Sequence, residues 1–343
     1  MRRWAAAGSV CLLALATGAA AAAALPDGTL LEASACPPNP LRTYEQYVAG
    51  QEAAYEAEVA EARQEGFSLR VPADLRRHLL TREDFRRRRA YAGFECLRIR
   101  YQSDGLSVAG FLWKPKATKG RKYPLIIFNR GGRGEYGTLT PWRQFGFYEY
   151  LANGFVVIAS QYRGAGGGEG RDEFGGADVR DVLNLVPLAR SLGYIDMKNL
   201  FMLGASRGGM MTYLALKQGA PVNAVAVVGG LTDLVAAARS RPSVVSEIYE
   251  PFIPGFRERG EEALRERSVV FWADKINVPV LLLHGGEDWR SKALDQVLAF
   301  ARRLEELEKT YELVIYAGDD HGLTFHRDER DKRIIEWFRE YRN

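Results

Sequence analysis

LFMLGASRGGMMTYLAL, residues 200–216, holds two patterns that meet at one serine. Leu200 to Leu203 form an apolar run of strand type, and from Gly208 to Lys217 the spacing is helical. Between them Gly204-Ala205-Ser206-Arg207-Gly208 spells G-x-S-x-G. At a strand-to-helix junction that motif predicts a sharp, strained turn, which lifts the Ser206 hydroxyl out at the strand's C-terminal end. The N–H of Arg207, opening the helix, is then expected where an oxyanion would form.

Working outward, apolar strands alternate with helical patterns. Strands are expected at Leu125–Phe128, Phe155–Ser160, Leu200–Leu203, Ala224–Val228, Val278–Leu283 and Leu313–Tyr316, with helices between them. Continuous apolar strands with helical crossovers imply a mostly parallel sheet covered on both faces. Ahead of them "ECLRIRY" and "LSVAGFLW" alternate and are separated by "QSDG", a hairpin signal that adds an antiparallel edge. The expectation is an α/β fold of about eight strands over residues 93–343, preceded by a short helical extension over 25–92. Leu231–Asn277 is longer than an ordinary crossover and is expected to carry small helices over the top of the sheet.

A serine hydroxyl needs a base, and the base an orienting carboxylate. In the α/β-hydrolase fold these follow in the order Ser, acid, His, each after a later strand. "VPVLLL" leads into His284-Gly285-Gly286-Glu287-Asp288, and "YELVIYAGDDHG" carries His321. The chain has 4 histidines. His78 lies far upstream, His284 sits at a strand end, and His326 is the rival to His321. His321 is preferred because it directly follows the strand loop. Spacing alone does not separate Asp288 from Glu287 as the acid.

"GASRGG", "HGGEDWR", "DDHG" and Tyr162-Arg163-Gly164 together resemble the catalytic domain of prolyl oligopeptidase family serine peptidases, from about Phe94 to the C-terminus. The resemblance implies an α/β-hydrolase fold and places the acid on Asp288. It also implies that Arg290 helps hold a substrate carbonyl. Three departures stand out. Ser291-Lys292 replaces the family's usual Val-Pro, and Arg130 occupies an oxyanion-hole position more often His or Tyr. There is also no room before Phe94 for the β-propeller of large members. The activity implied is hydrolysis of peptide bonds through Ser206, Asp288 and His321; the alternative is an esterase acting on small or carbohydrate-linked acyl esters with the same triad.

"FNRGGRGEYG", residues 128–137, also spells the GxGxxG of a dinucleotide site. Such a unit needs an acidic residue at the end of its second strand. Here that strand ends "VVIASQYRG", without Asp or Glu. The loop is therefore read as the oxyanion loop, with Arg130, Gly131 and Gly132 beside the serine. The second glycine run, residues 164–176, lacks a Lys-Ser/Thr ending and is read as the rim of the site. No HExxH or paired-Cys motif is present, so no metal and no cofactor are expected.

The 343 residues are 47% hydrophobic and 26% charged with a formal charge of +4, which gives no reason to expect a nucleic-acid partner. Arg2-Arg3, an alanine-rich apolar stretch and small residues before Pro26 have the order of a signal peptide over 1–24. The protein is thus expected to be exported, periplasmic or secreted, with membrane attachment only if that segment stays uncleaved. Cys36 and Cys96 remain in the mature chain, and an even pair in an exported protein is expected to form a disulfide.

Overall fold

Nine strands make a single sheet in the computed structural model, which describes residues 25–69, 75–116, 119–292 and 296–343. The signal-peptide expectation lies outside the described residues. In chain order the strands are β1 (Leu30–Ala35), β2 (Phe94–Ser103), β3 (Leu106–Pro115), β4 (Tyr123–Asn129), β5 (Val156–Ser160), β6 (Ile195–Ala205), β7 (Ala224–Val228), β8 (Val280–Gly285) and β9 (Tyr311–Tyr316). Across the sheet they run β1-β2-β3-β5-β4-β6-β7-β8-β9. The first three are antiparallel, and β5 through β9 are parallel to one another. This is the α/β-hydrolase arrangement expected, with one strand more than the eight counted from sequence.

Every residue of β4, β5, β7 and β8 is buried, because helices cover both faces. Alternate residues feed separate cores. Ile127, Met202, Val225 and Leu282 belong to one apolar cluster, and Ile126, Phe201, Ala226 and Leu281 to the other. The β2–β3 hairpin turns at Asp104-Gly105, both at positive φ, as a two-residue type I′ turn requires.

The extra strand comes from the segment expected to be helical. β1 is exposed along its length and pairs only with β2, so nothing in its apolar pattern announces it. The rest of that segment contains α1 (Tyr44–Gln64), capped by Thr43 and Gln46, and α2 (Arg82–Ala90), capped by Thr81. Tyr47, Val48, Leu79, Leu80 and Phe85 form a small core of their own. It docks through Phe85 on Phe145 of α3 (Gln144–Ala152), ring centroids 5.5 Å apart. Among the described residues no helix is long and apolar enough to cross a membrane.

Cys36 and Cys96 are bonded, Cα atoms 5.3 Å apart, and tie the end of β1 to β2. Their separation of 60 residues closes a large loop in the unfolded chain. Replacing both with serine is expected to lower stability by about 4 kcal/mol in the chain-entropy model, read from denaturant unfolding. Two free thiols by mass spectrometry of the non-reduced, folded protein would remove the bridge.

Candidate active site

The parallel strands deliver the candidate residues to one edge. Ser206 follows β6, Asp288 follows β8, His321 follows β9, and the Arg130–Gly137 loop follows β4. Loops beyond the carboxyl ends of parallel strands are where such sheets bind ligands.

Ser206 has φ +56° and ψ −125°, a strained conformation for a non-glycine residue. It caps α6 (Arg207–Lys217) and is held by its N–H to Val228 O at 2.9 Å. The neighbouring glycines are required by close approach. A Cβ on Gly208 would lie 1.8 Å from Asn129 O, and one on Gly204 2.5 Å from Gly208 O. Gly131 sits against the serine: a Cβ there would come within 3.0 Å of Ser206 Cβ. Gly132, at φ +75°, closes a tight turn in which Arg133 and Tyr136 pair back on each other. The GxGxxG pattern is thus the sequence of that turn.

His321 Nδ1 donates to Asp288 Oδ2 at 2.7 Å, which leaves Nε2 as the bare, acceptor nitrogen. That Nε2 is buried without a partner. Asp288 is further fixed by the N–H groups of Arg290 and Ser291 at 2.9 and 3.0 Å and by Ser291 Oγ at 2.7 Å. Burial pulls the Asp288 carboxyl upward, but the facing His321 charge and these bonds outweigh it and hold it below the usual range. Burial likewise works against a charged His321, and Asp288 overrides it, raising the imidazole above its ordinary value. Ser206 and His321 line the same cavity, about 780 Å³ in volume.

His326 and His284 have hydrogen-bond partners of their own. His326 Nδ1 bonds Asp319 at 2.8 Å, and its ring stacks on Tyr316. Buried His284 donates from Nε2 to Ser291 O at 2.7 Å and stands 3.5 Å from Asp288 Oδ2, beside the carboxylate that holds His321. Glu287, the rival acid, donates its backbone N–H to Asp319 O at 2.9 Å in the turn before Asp288.

The arginines fall differently from expectation. Arg130 donates from Nε and Nη2 to Gln161 O, from Nη1 to Gly131 O and Tyr136 O, and from Nη2 to Gly134 O, all within 3.3 Å. Its five N–H groups are therefore spent on carbonyls. Its guanidinium holds the loop in shape and has no donor left for an oxyanion. The Arg207 side chain turns inward to Asp172, at 2.6 and 2.7 Å, and to Asp178. Asp172 also accepts from Gly134 N–H at 2.7 Å, so the second glycine run is bonded to both the turn at Ser206 and the Arg130–Gly137 loop. The backbone N–H of Arg207, at the first position of α6, has no intrahelical acceptor.

Sequence reasoning assigned no site role to α1, yet Gln51, Ala54, Tyr55 and Glu58 line the cavity with Ser206. Arg290 is held by Glu58 through Nε and Nη2 and by Glu61 through Nη1 and Nη2, at 2.6–3.2 Å. One N–H of Nη1 is left over from its five. Glu58 and Glu61 stand three apart on one helix face, a spacing that marks them as a pair; their partner, more than 200 residues away, was not readable.

A model of the prolyl oligopeptidase family matches residues 142–343. The uncharacterized peptidase YtmA of Bacillus subtilis is 29% identical over 238 residues, covering 69% of this chain and 89% of that protein. Dipeptidyl-peptidase 5 of Porphyromonas endodontalis is 26% identical over 218 residues, 59% of this chain and 30% of that one. Among solved structures, the acylaminoacyl peptidase of Pyrococcus horikoshii matches with a TM-score of 0.64 at 27% identity, over 77% of this chain and 44% of that chain. Acetyl xylan esterase 1 from a Thermoanaerobacterium species matches with a TM-score of 0.56 at 17% identity, over 72% and 84% of the two chains; that likeness shows the fold alone. The chain thus spans less than half the length of the dipeptidyl-peptidase and of the acylaminoacyl peptidase.

α1 lies before the matched region, and its contact with Arg290 joins the two parts. Changing Glu58 and Glu61 together to glutamine leaves a half-buried guanidinium without counter-charge. The expected loss is about 1–3 kcal/mol, between that of an exposed and a buried pair. Faster amide exchange over Tyr44–Gln64 is expected with it; an unchanged unfolding midpoint and unchanged protection would show that the ion pairs do not hold the helix.

Proposed function

The chain belongs to the prolyl oligopeptidase family, and from that premise we propose that it is a serine peptidase working through an acyl-enzyme on Ser206. Ser206 Oγ attacks the scissile carbonyl while His321 Nε2 takes its proton. Asp288 keeps the imidazole in that tautomer and stabilises the imidazolium. The negative oxygen is received by Arg207 N–H and by the backbone of Gly131 and Gly132. The C–N bond then breaks, His321 returns the proton to the departing amine, and water releases the acyl group by the same steps. The observation that carries this reading is His321. One nitrogen is fixed on Asp288 at 2.7 Å, and the other, unpartnered, lies in the cavity of a strained serine.

Peptide rather than simple ester is favoured by Arg290. Arg290 lines the same cavity with one N–H left unbonded, and a peptide would offer it a second carbonyl beside the acyl group. Residues 93–343 are taken as the catalytic domain and 25–92 as an extension that also roofs the cleft. The Cys36–Cys96 bridge supports an oxidising, exported setting for the mature chain, with 1–24 as its signal.

Ser206→Ala and His321→Ala are each expected to lower turnover by several orders of magnitude without unfolding the protein. A fluorophosphonate probe should label the wild type and not Ser206→Ala. Retained activity in His321→Ala with loss in His326→Ala would move the base to His326. Parallel assays on peptidyl amides and short acyl esters decide the substrate class, and turnover of esters alone would favour the esterase.

Only neutral His321 can accept the serine proton, and its pKa is raised. The acid limb of kcat/KM is therefore expected above the ordinary histidine value of about 6.5, activity falling as pH drops through it. A limb well below that value would separate the titrating group from the Asp288–His321 pair.

A further inference from the structure

Two cavities meet at Ser206 and His321. The larger contains the oxyanion side, being lined by Gly131, Gly132 and Arg207, with Arg290 and α1 beyond. The smaller, about 130 Å³, is lined by neither Gly131, Gly132 nor Arg207; around Ser206 and His321 it has Gly322, Phe147, Ile334 and Arg143. In acyl transfer the oxyanion donors surround the acyl group, and the leaving group must lie within reach of the histidine nitrogen that protonates it. The smaller cavity is therefore on the leaving-group side. Its volume corresponds to about four waters' worth of liquid, room for one residue rather than a chain.

Arg143 lines both cavities and closes the short turn Pro141–Arg143 ahead of α3. Its guanidinium differs from those of Arg130, Arg207 and Arg290. Among the described residues no carboxylate or carbonyl holds it, and its contacts are the faces of Phe128 and Phe147, 5.7 and 5.9 Å from the ring centroids. It is solvent-accessible although protein surrounds it, as a side chain standing in a cleft is. Among the charges that act on it, Arg330 and Arg327 oppose its own charge and Asp331 favours it. Asp331 accepts on Oδ1 from Tyr150 and from Arg330 at 2.8 Å each, while its Oδ2 is buried without a hydrogen bond and does not bond Arg143. Arg330 also donates to Gly322 O at 2.7 Å, and Arg327 to Tyr47 and Gln51 on α1. Asp320, on the wall of the larger cavity, spends its Oδ1 on the N–H groups of Gly322 and Thr324. A guanidinium beside two others, with a carboxylate near it but none bonded to it, has donors free for an anion in the cleft.

We propose that the small cavity receives the leaving group and that Arg143 holds a carboxylate on it, so that the preferred substrate is a peptide whose C-terminal residue, with its free carboxylate, is the part released. This rests on the acyl-enzyme reading above. His321 would protonate the departing amine of that residue as the C–N bond breaks, so atoms and charge balance with water as the only co-reactant.

The test uses the mature protein with two matched pairs of substrates. In one pair the same peptide ends in a free carboxylate or an amide; in the other the same acyl group is esterified to glycolate or to methyl glycolate. Wild type is expected to prefer the anionic member of each pair in kcat/KM. Arg143→Gln should lower the anionic member roughly 10- to 100-fold, the worth of a hydrogen bond to a charged group, and leave the neutral one nearly unchanged. Arg143→Lys should restore part of the difference. Wild-type indifference to the end group, or equal losses on both members in Arg143→Gln, would overturn the proposal. Preference for the glycolate ester with no cleavage of either peptide would keep the anion site and reject the peptidase reading.

Discussion

The turn between β6 and α6 can exist only because Gly208 packs directly on the end of β4, where a side chain's first carbon would fall 1.8 Å from Asn129 O. That contact fixes how the helix leaves the sheet, and with it the conformation of Ser206. Asn129 Nδ2 donates to Thr212 Oγ1 at 2.8 Å, and Thr212 Oγ1 donates to Gly208 O at 2.8 Å, so the same glycine is bound into the first turns of the helix. Strain at Ser206 persists because these neighbours over-determine it. The strand ends of β7, β8 and β9 then lie beside β6 in order, and the residues following β8 and β9 reach the serine from one side.

Buried charge is the second organising element. Arg207 lies between Asp172 and Asp178 and carries Tyr162 and Phe174 on its faces. Burial would raise the Asp172 carboxyl, but Arg207 and the N–H groups of Phe174 and Gly134 hold it below its usual range. Pairs of this kind add little net stability against an apolar replacement, while removing one partner is severe. What Asp172 contributes here is position, since it links α6, the 164–176 loop and the Arg130–Gly137 loop through bonds that no apolar side chain would replace.

The parts legible in sequence were those whose signals are local. Ser206, Asp288 and His321 each follow an apolar run within a few residues, and parallel strands necessarily bring such ends to one edge. His321 was preferred over His326 by its place after the strand loop; that Asp319 holds His326 is a bond that spacing could not reveal. Arg130 was assigned by position, and its chemistry depends on carbonyls of Gln161 and Tyr136 that only the folded loops present. β1 was missed because an exposed edge strand has no buried face to leave a period. The site role of α1 was missed for a different reason: its helix was evident, but which of its acidic residues would meet Arg290 depended on tertiary packing.

How α1 is held bears on what it can do. The side chains of Arg290, Glu58 and Glu61 keep 17%, 21% and 44% of their exposure, so their attraction is partly screened by water. The apolar contacts are not. Tyr47 and Val48 are nine-tenths buried in the small core that reaches α3, and Tyr55 packs on Phe325 at 5.7 Å. At about 1.5–3 kcal/mol for each fully buried large side chain, that core outweighs the ion pairs as an anchor. Apolar packing therefore docks the helix, and the carboxylates set its register over the cleft, bringing Tyr55 and Glu58 to the wall opposite the strand ends. With burial and the Asp320 and Glu58 charges pushing the Tyr55 phenol up to about 12, that wall presents a neutral hydroxyl across the working pH range. The two functions reside in different residues of one helix: the apolar side supplies most of the anchoring, and the charged side adds a smaller share while setting the register over the cleft.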